Sequence, residues 1–239
     1  MEEIGLHIPE SINDISLRDY QKFMKIYNEN GAESSEFTNI KMLEIFCGLK
    51  YKDINDLPLG IFDEAIELLG NSLSQKTPLV RRFDIKGSDG FVVDLGFIPN
   101  LDKITLGEYI DLSSYLDDID SIHKAMAVLY RPVHKSFKNK EAYRIAEYKG
   151  TDKYSEAMKD MPLGVALGAR VFFYHLGMKL SSHILNSFSS QSEKEIASQS
   201  EEERKTFLKA MDGIRNYMLL QEEMLSKLMN QQDLIYTKP

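Results

Sequence analysis

The chain has 239 residues, of which 43% are hydrophobic and 28% charged, and its 37 acidic against 29 basic side chains give a formal net charge of −8. That length and apolar content suit a folded chain with a substantial core and exclude intrinsic disorder. The acidic balance argues against a protein built mainly to bind nucleic acid or an anionic membrane surface. The single cysteine, Cys47, excludes an internal disulfide and any multi-cysteine metal site, as suits a reducing compartment.

Met1-Glu2-Glu3 is acidic, and no basic segment followed by an apolar run comes after it, so no secretory signal is expected. Ile8-Pro9 reads as extended, because the residue before a proline is pushed out of the helical region. Ser16 then caps a helix whose apolar positions Leu17, Tyr20, Phe23, Met24 and Tyr27 recur at helical spacing, until Asn30-Gly31 ends it. A second helix is expected from about Glu36 to Cys47, with Gly48 in the C′ role. A third starts after Asp56-Leu57-Pro58 and runs through Ile61, Phe62, Ile66 and Leu69 to Gly70.

The period then changes. Leu79 to Ile85 and Phe91 to Phe97 are β-rich runs around Lys86-Gly87-Ser88-Asp89-Gly90, which predicts a hairpin that must pack on helices or pair with a partner. Thr105 and Glu108 form a capping box that opens a helix over about 106–116, and another is expected from about Asp120 to Tyr130, broken by Arg131-Pro132. Residues 131–153 are polar and weakly periodic, with a short strand near Tyr143-Arg144-Ile145. The longest apolar tract, Met161 to Leu176, carries Arg170 and His175 and is too short to span a bilayer, so it reads as a buried helix running to about Leu185.

The two halves read as duplicated. Ile15-Ser16-Leu17-x-Asp19-Tyr20-x-x-Phe23 matches Ile104-Thr105-Leu106-x-Glu108-Tyr109-x-x-Leu112. Lys50-Tyr51 followed by Asp56-Leu57-Pro58-Leu59-Gly60-Ile61 matches Lys153-Tyr154 followed by Asp160-Met161-Pro162-Leu163-Gly164-Val165. The competing explanation is a coincidence of common helix-start signals. The expected fold is mainly α: two related three-helix units joined by a small β-hairpin, plus a long C-terminal amphipathic helix. The boundaries expected are 1–78 for the first unit, 79–97 for the hairpin, 98–188 for the second unit with its polar insertion 131–153, 189–200 for a serine-rich linker, and 201–239 for the C-terminal helix and tail.

No pattern names a reaction. The acidic run Asp117-Asp118-Ile119-Asp120 lacks the converging ligands of a metal site and reads as a loop that caps the next helix. None of His7, His123, His134, His175 and His183 pairs at the spacing of a helical metal site, and His175 reads as a satisfied core or interface histidine. No serine has a nucleophile-elbow context, and Cys47 reads as packing. Gly164-x-x-x-Gly168 reads as a place of close helix packing rather than a phosphate loop. We expect no enzyme, catalytic residue, metal or cofactor.

Two surfaces remain. Arg131, Lys135, Lys138, Lys140 and Arg144, interleaved with Phe137 and Tyr143, form a local basic excess that can contact an anion, an acidic protein surface or nucleic acid. Beyond the linker, Ser200 to Glu203 is another capping box, and a helix of about thirty residues should follow. Its apolar positions Phe207, Met211, Ile214, Met218, Leu225 and Leu228 alternate by four and three, with Gln221 the polar member of the seam and Met224 and Met229 beside it. Such a helix either folds back on its own chain or binds another, and methionines suit differently shaped partners.

The hairpin, the extended Phe97-Ile98-Pro99, Ile104-Thr105-Leu106-Gly107-Glu108-Tyr109, the run Lys124 to Pro132 and Met161-Pro162-Leu163-Gly164-Val165 together resemble small proteins encoded in the tail modules of tailed bacteriophages, including those labelled structural or tail assembly chaperones. The resemblance covers about residues 8–188. It implies a non-enzymatic protein that binds the tape-measure protein or other tail components in the host cytoplasm during assembly. The expected partners are therefore proteins, with self-association through the C-terminal helix open, nucleic acid disfavoured and no membrane contact. The alternatives are a permanent component of a virion tail or baseplate and, from another class, a nucleic-acid-binding regulator using residues 131–144.

Overall fold

The computed structural model describes residues 6–30, 35–86, 92–136, 143–189 and 200–234. The hairpin turn and nearly all of the serine-rich linker lie outside the described residues. The protein is mainly helical with a small antiparallel sheet, as expected. It divides into two compact units, residues 1–169 and 170–239. That boundary falls inside a helix, not at the hairpin or the linker.

The first unit opens with α1 (Leu17–Asn30), α2 (Ser35–Phe46), the short α3 (Tyr51–Asn55) and α4 (Leu59–Leu73). After strands β1 (Arg82–Lys86) and β2 (Val92–Phe97) come α5 (Leu106–Tyr115) and α6 (Ile122–Leu129). Strands β3 (Tyr130–Ser136) and β4 (Tyr143–Ile145) lead to the short α7 (Ser155–Met158) and to α8 (Leu163–Ser189). A capped helix, a second helix, a short helix and a proline-led helix thus occur in the same order in both halves. The short α3 and α7 make four helices where three were expected per half. Their five and four residues are too few for a periodic apolar stripe to show.

Local signals account for the helix ends. Gly48 sits at φ +70° after α2, a left-handed conformation that favours glycine, and it lets the Leu49 N–H reach the Leu43 carbonyl at 3.4 Å. Pro58 caps α4, where its missing N–H leaves no donor unsatisfied. The Asp118 carboxylate accepts from the Asp120 N–H at 3.0 Å and the Ser121 hydroxyl at 2.7 Å, so the acidic run stabilises the turn before α6.

The starts of α1 and α8 cap each other. Ser16 Oγ accepts the Asp19 N–H at 3.0 Å, but the two donors before it are satisfied from the other half of the chain: Leu17 N–H by the Met161 carbonyl at 2.9 Å and Arg18 N–H by the Lys159 carbonyl at 2.7 Å. In return Leu163, the first residue of α8, donates to the Ile15 carbonyl at 2.9 Å. Helix N-termini leave four orphan N–H groups each, so this exchange ties two segments about 145 residues apart through groups that cannot be left dry. The contact joins the first copy of one repeated block to the second copy of the other. Around this joint lies a core from α1 (Leu17, Tyr20, Phe23, Met24), α2 (Met42, Leu43), α6 and the first turns of α8 (Leu163, Ala166, Leu167, Ala169). Residues Ala125 to Leu129 of α6 are buried on every side.

The hairpin is half of a four-stranded antiparallel sheet of order β1-β2-β3-β4. The insertion expected to be mostly loop supplies the other half. Only β4, at Tyr143–Ile145, was anticipated; Arg131-Pro132 ends α6 as expected but also sits within β3. Pro132 is tolerated because β3 pairs with β2 over three residues only, Leu95 with Pro132, Gly96 with Arg131 and Phe97 with Tyr130, and then turns to β4. The register slips between Val133 and Lys135, which makes His134 the extra residue of a bulge. Tyr130 stacks edge-on to Phe83 and Phe97 with centroids 5.1 and 5.3 Å away, and its hydroxyl donates to the Val80 carbonyl at 2.7 Å. The Tyr143 ring lies over Gly96, where an added Cβ would come within 2.5 Å of it.

In the second unit, residues 170–189 of α8 meet α9 (Glu201–Leu234), the C-terminal helix expected from the Ser200–Glu203 box. That box is present: Ser200 N–H donates to Glu203 Oε2 at 2.8 Å and Glu203 N–H to Ser200 Oγ at 3.3 Å. The helices approach at Gly177, where a Cβ would lie 3.3 Å from Tyr217 Oη and 3.4 Å from Gln221 Oε1. No helix among the described residues is long and apolar enough to cross a membrane.

Glycines 164 and 168 do permit close approach, though not of another long helix. A Cβ at Gly164 would meet Asn13 Oδ1 at 2.4 Å, and one at Gly168 would meet the Pro78 carbonyl oxygen at 2.4 Å. Backbone cannot swing aside, so Gly168→Ala should lower stability by about 1–3 kcal/mol in chemical denaturation. Gly213 of α9 has nothing within 4 Å of its Cβ position, and Gly213→Ala should raise the helix content or stability by up to about 1 kcal/mol.

His123 is buried, and the Gln21 amide nitrogen lies 3.1 Å from its Nδ1 while also donating to the Ile119 carbonyl at 2.7 Å. Burial, reinforced by Lys159 and Lys124 against an opposing Glu156, holds the imidazole below its ordinary value of 6.5. The unfolded chain therefore binds this proton first: the contribution of neutral His123 is complete above about pH 6.5 and is lost as pH falls towards the folded-state value. Denaturation midpoints measured down to about pH 5 should decline less steeply in His123→Gln, by at most about 1.4 kcal/mol per pH unit.

Candidate functional site

The basic segment singled out in the sequence divides on folding. Arg131 is buried, Arg144 is exposed on β4, Lys135 stands on β3, and Lys138 and Lys140 lie outside the described residues. Arg131 and Arg144 nevertheless line one cleft of about 580 Å³, together with His134 and the extended segment after β4, which adds Glu147, Tyr148, Lys149, Lys153 and Tyr154. Lys149 and Lys153 were not anticipated as part of the site. They follow the predicted segment in sequence, and the chain's return along β4 and around Gly150, at φ +89°, carries them back beside it.

Arg131 is held from two sides. Its Nη2 pairs with Glu108 Oε1 at 2.7 Å, with the two side chains only 7% and 6% exposed. The other carboxylate oxygen of Glu108 accepts the Thr105 N–H at 2.7 Å, so one side chain closes the capping box of α5 and anchors a strand. On its other side the guanidinium lies 5.7 Å from the centroid of Tyr148. The Tyr148 hydroxyl in turn donates to Asp111 of α5, and burial together with that carboxylate raises its pKa above the ordinary tyrosine range. Arg131 Nε is the one buried side-chain nitrogen or oxygen among the described residues that has no hydrogen-bond partner.

The charge left over defines what this cleft can do. Arg131 is balanced by Glu108, whereas Arg144, Lys149 and Lys153 are exposed and pair with no carboxylate among the described residues. Lys153 instead lies 5.1 Å from the centroid of Tyr154. The bulge at His134 puts a further polar side chain at the rim. Such a set can hold oxyanions by charge-assisted hydrogen bonds.

The second predicted surface is the seam of α9. Met211 is buried, and Phe207, Ile214, Met218 and Leu225 are partly shielded; the side chain of Leu228 lies outside those described. Gln221, the polar member, is buried too and faces Gly177. The seam therefore lies on the covered side of the helix. Exposed apolar side chains flank it instead: Leu208 and Leu219, eleven residues apart and so on nearly one face, and Leu220, with Leu180 and Ile184 one turn apart on α8.

Other candidates resolve into structure. His175, expected in the core or at an interface, is exposed and so not in the core; the buried histidine is His123, because α6 is enclosed on all sides while this stretch of α8 is not. Cys47 is partly buried and its thiol is pushed up to about 11 by that burial, which keeps it protonated and a poor nucleophile. Among the described residues no group of three or more His, Cys, Asp or Glu side chains is placed to hold a metal ion.

Removing the carboxylate at position 108 would leave a buried guanidinium unbalanced and an N-cap donor bare. Glu108→Ala should cost about 3–5 kcal/mol in urea denaturation, whereas Asp160→Ala, which breaks the exposed 2.8 Å pair with Arg18, should cost at most about 1 kcal/mol. Comparison of the chain with protein-family models, with curated proteins and with solved structures gave no match in any of the three.

Proposed function

We propose that this chain is a non-enzymatic assembly protein that binds a helical segment of a protein partner through its second unit, in the manner of a phage tail assembly chaperone acting on the tape-measure protein or another tail component. The carrying observation is an imbalance of apolar surface. Among the described residues the buried apolar side chains of the second unit are Tyr174 and Met211, while Leu180, Ile184, Leu208, Leu219 and Leu220 are exposed. Two helices can cover one stripe between them, and further apolar positions need a third element. Large apolar side chains exposed across two packed helices mark an interaction surface where they form a contiguous patch.

A helical partner suits the geometry, since its i, i+3 and i+4 side chains would continue the packing already present between α8 and α9. Four of the chain's eleven methionines, Met211, Met218, Met224 and Met229, belong to α9, and unbranched thioether side chains adapt to more than one shape. The net charge of −8 favours a soluble complex. The tail context comes from the sequence resemblance, and a place as a permanent virion component remains the runner-up.

Co-expression with the tape-measure protein tests the reading. The wild-type chain should keep that protein soluble and co-purify with it, and Leu208→Asp with Leu219→Asp should abolish both while its own circular dichroism is unchanged. Stoichiometric recovery of the chain in purified particles would move it to the structural class. Loss of helicity in the double variant would mean that these residues belong to the unit's core.

A further inference from the structure

From the geometry of the cleft between β3–β4 and residues 146–154, we infer that it is a binding site for a small polyanion, a molecule carrying two or more phosphate or carboxylate groups. The inference concerns the first unit and holds whether or not the second unit binds a tail component. It rests on how charge is distributed. In a chain with eight more acidic than basic side chains, Arg144, Lys149 and Lys153 converge on one cleft without a carboxylate pairing to any of them among the described residues, and Glu147 is the one acidic side chain in its lining. Like charges lining one cleft repel one another, and an anion seated among them relieves that repulsion.

Two further features point to a ligand of limited size. The volume of about 580 Å³ lies within the range of small-molecule sites and is far too small for an extended strand. The cleft gathers its cations in one small volume, whereas nucleic acid needs a basic track along its backbone. The floor is pre-organised: Arg131 is fixed between Glu108 and Tyr148, it lines the cleft, and its Nε has hydrogen-bonding capacity unused. The cations at the rim, Arg144, Lys149 and Lys153, are exposed and can close on an anion held above that floor. Phosphate and carboxylate groups share the chemistry the cleft recognises, and the test separates them.

Isothermal titration calorimetry of the full-length chain with inorganic pyrophosphate and, separately, with citrate decides the matter. At least one should bind at about 25 mM salt and weaken several-fold by about 200 mM, as exposed ion pairs are screened. Binding of pyrophosphate alone assigns phosphate esters, binding of citrate alone assigns polycarboxylates, and binding of both supports the shared oxyanion chemistry. Arg144→Gln with Lys153→Gln should reduce the affinity about tenfold or more, and the charge-matched pair Lys25→Gln with Lys52→Gln, away from the cleft, should not. Lys149→Gln with Lys153→Gln reads the same site should the first pair fail to fold. The proposal is overturned if neither anion binds at low salt, or if binding survives both cleft variants. It is overturned equally if a glutamate-rich peptide or a short duplex binds through the same residues more than about tenfold tighter, because the cleft would then belong to a macromolecular surface.

Discussion

The carboxylate of Glu108 is the point on which the architecture of the first unit turns. One oxygen closes the N-terminus of α5 through the Thr105 N–H, and the other holds the buried Arg131 on β3, both at 2.7 Å. A capping box is ordinarily a local device that stabilises a helix start by about 1 kcal/mol. Here the same group also neutralises a guanidinium that would be costly to bury alone. The consequence is that the position of α5 and the position of β3 are no longer independent. Tyr148, which packs on Arg131 and donates to Asp111 of α5, closes the loop of contacts and sets one wall of the cleft.

The sheet and the cleft follow from the same economy of backbone groups. β3 leaves β2 after three paired residues, at a proline that has no N–H to give, and moves on to β4 through a bulge at His134. That switch bends the strand away from the hairpin and opens the space into which the segment after β4 returns. The reciprocal capping of α1 and α8 acts at the other side of the unit, where each helix start is completed by carbonyls that precede the other. The start of α1, whose sequence echo is α5, and the start of α8, whose echo is α4, thus meet in space.

The second unit is built on a different balance. Its α9 seam is covered and meets α8 at Gly177, yet the helices expose leucine and isoleucine on their flanks. Among the described residues few apolar side chains of this helix pair are fully buried and many are half-buried, so packing between the two helices leaves apolar surface still to cover. Such an element gains most from a partner that covers the flanks, and the proposed assembly role uses that deficit. The proposed partner surface and the proposed oxyanion cleft lie in separate units, so a substitution at either leaves the other's residues in place.

Helix starts, helix stops and the mainly α class were legible because they are local: Ser16, Thr105, Ser200, Pro58 and Gly48 act on backbone groups within a few residues of themselves. The C-terminal seam was legible for the same reason, since its spacing of four and three lies along one helix. The four-stranded sheet was only half legible. Tyr130 to Ser136 carries a proline and alternates weakly, and it becomes a strand because β2 and β4 offer it hydrogen bonds from both sides. The basic segment was visible as composition, but the sequence could not separate Arg131, drawn inward by Glu108 across twenty-three residues of chain, from Arg144 at the rim. Lys149 and Lys153 joined the site only through the fold. What the sequence alone determined is therefore the set of elements and their ends, because caps, turns and periodicity are short-range. Which charges became paired, which helix face was covered and where a cleft opened were decided by the tertiary structure, because burial and ion pairing depend on groups brought together from distant parts of the chain.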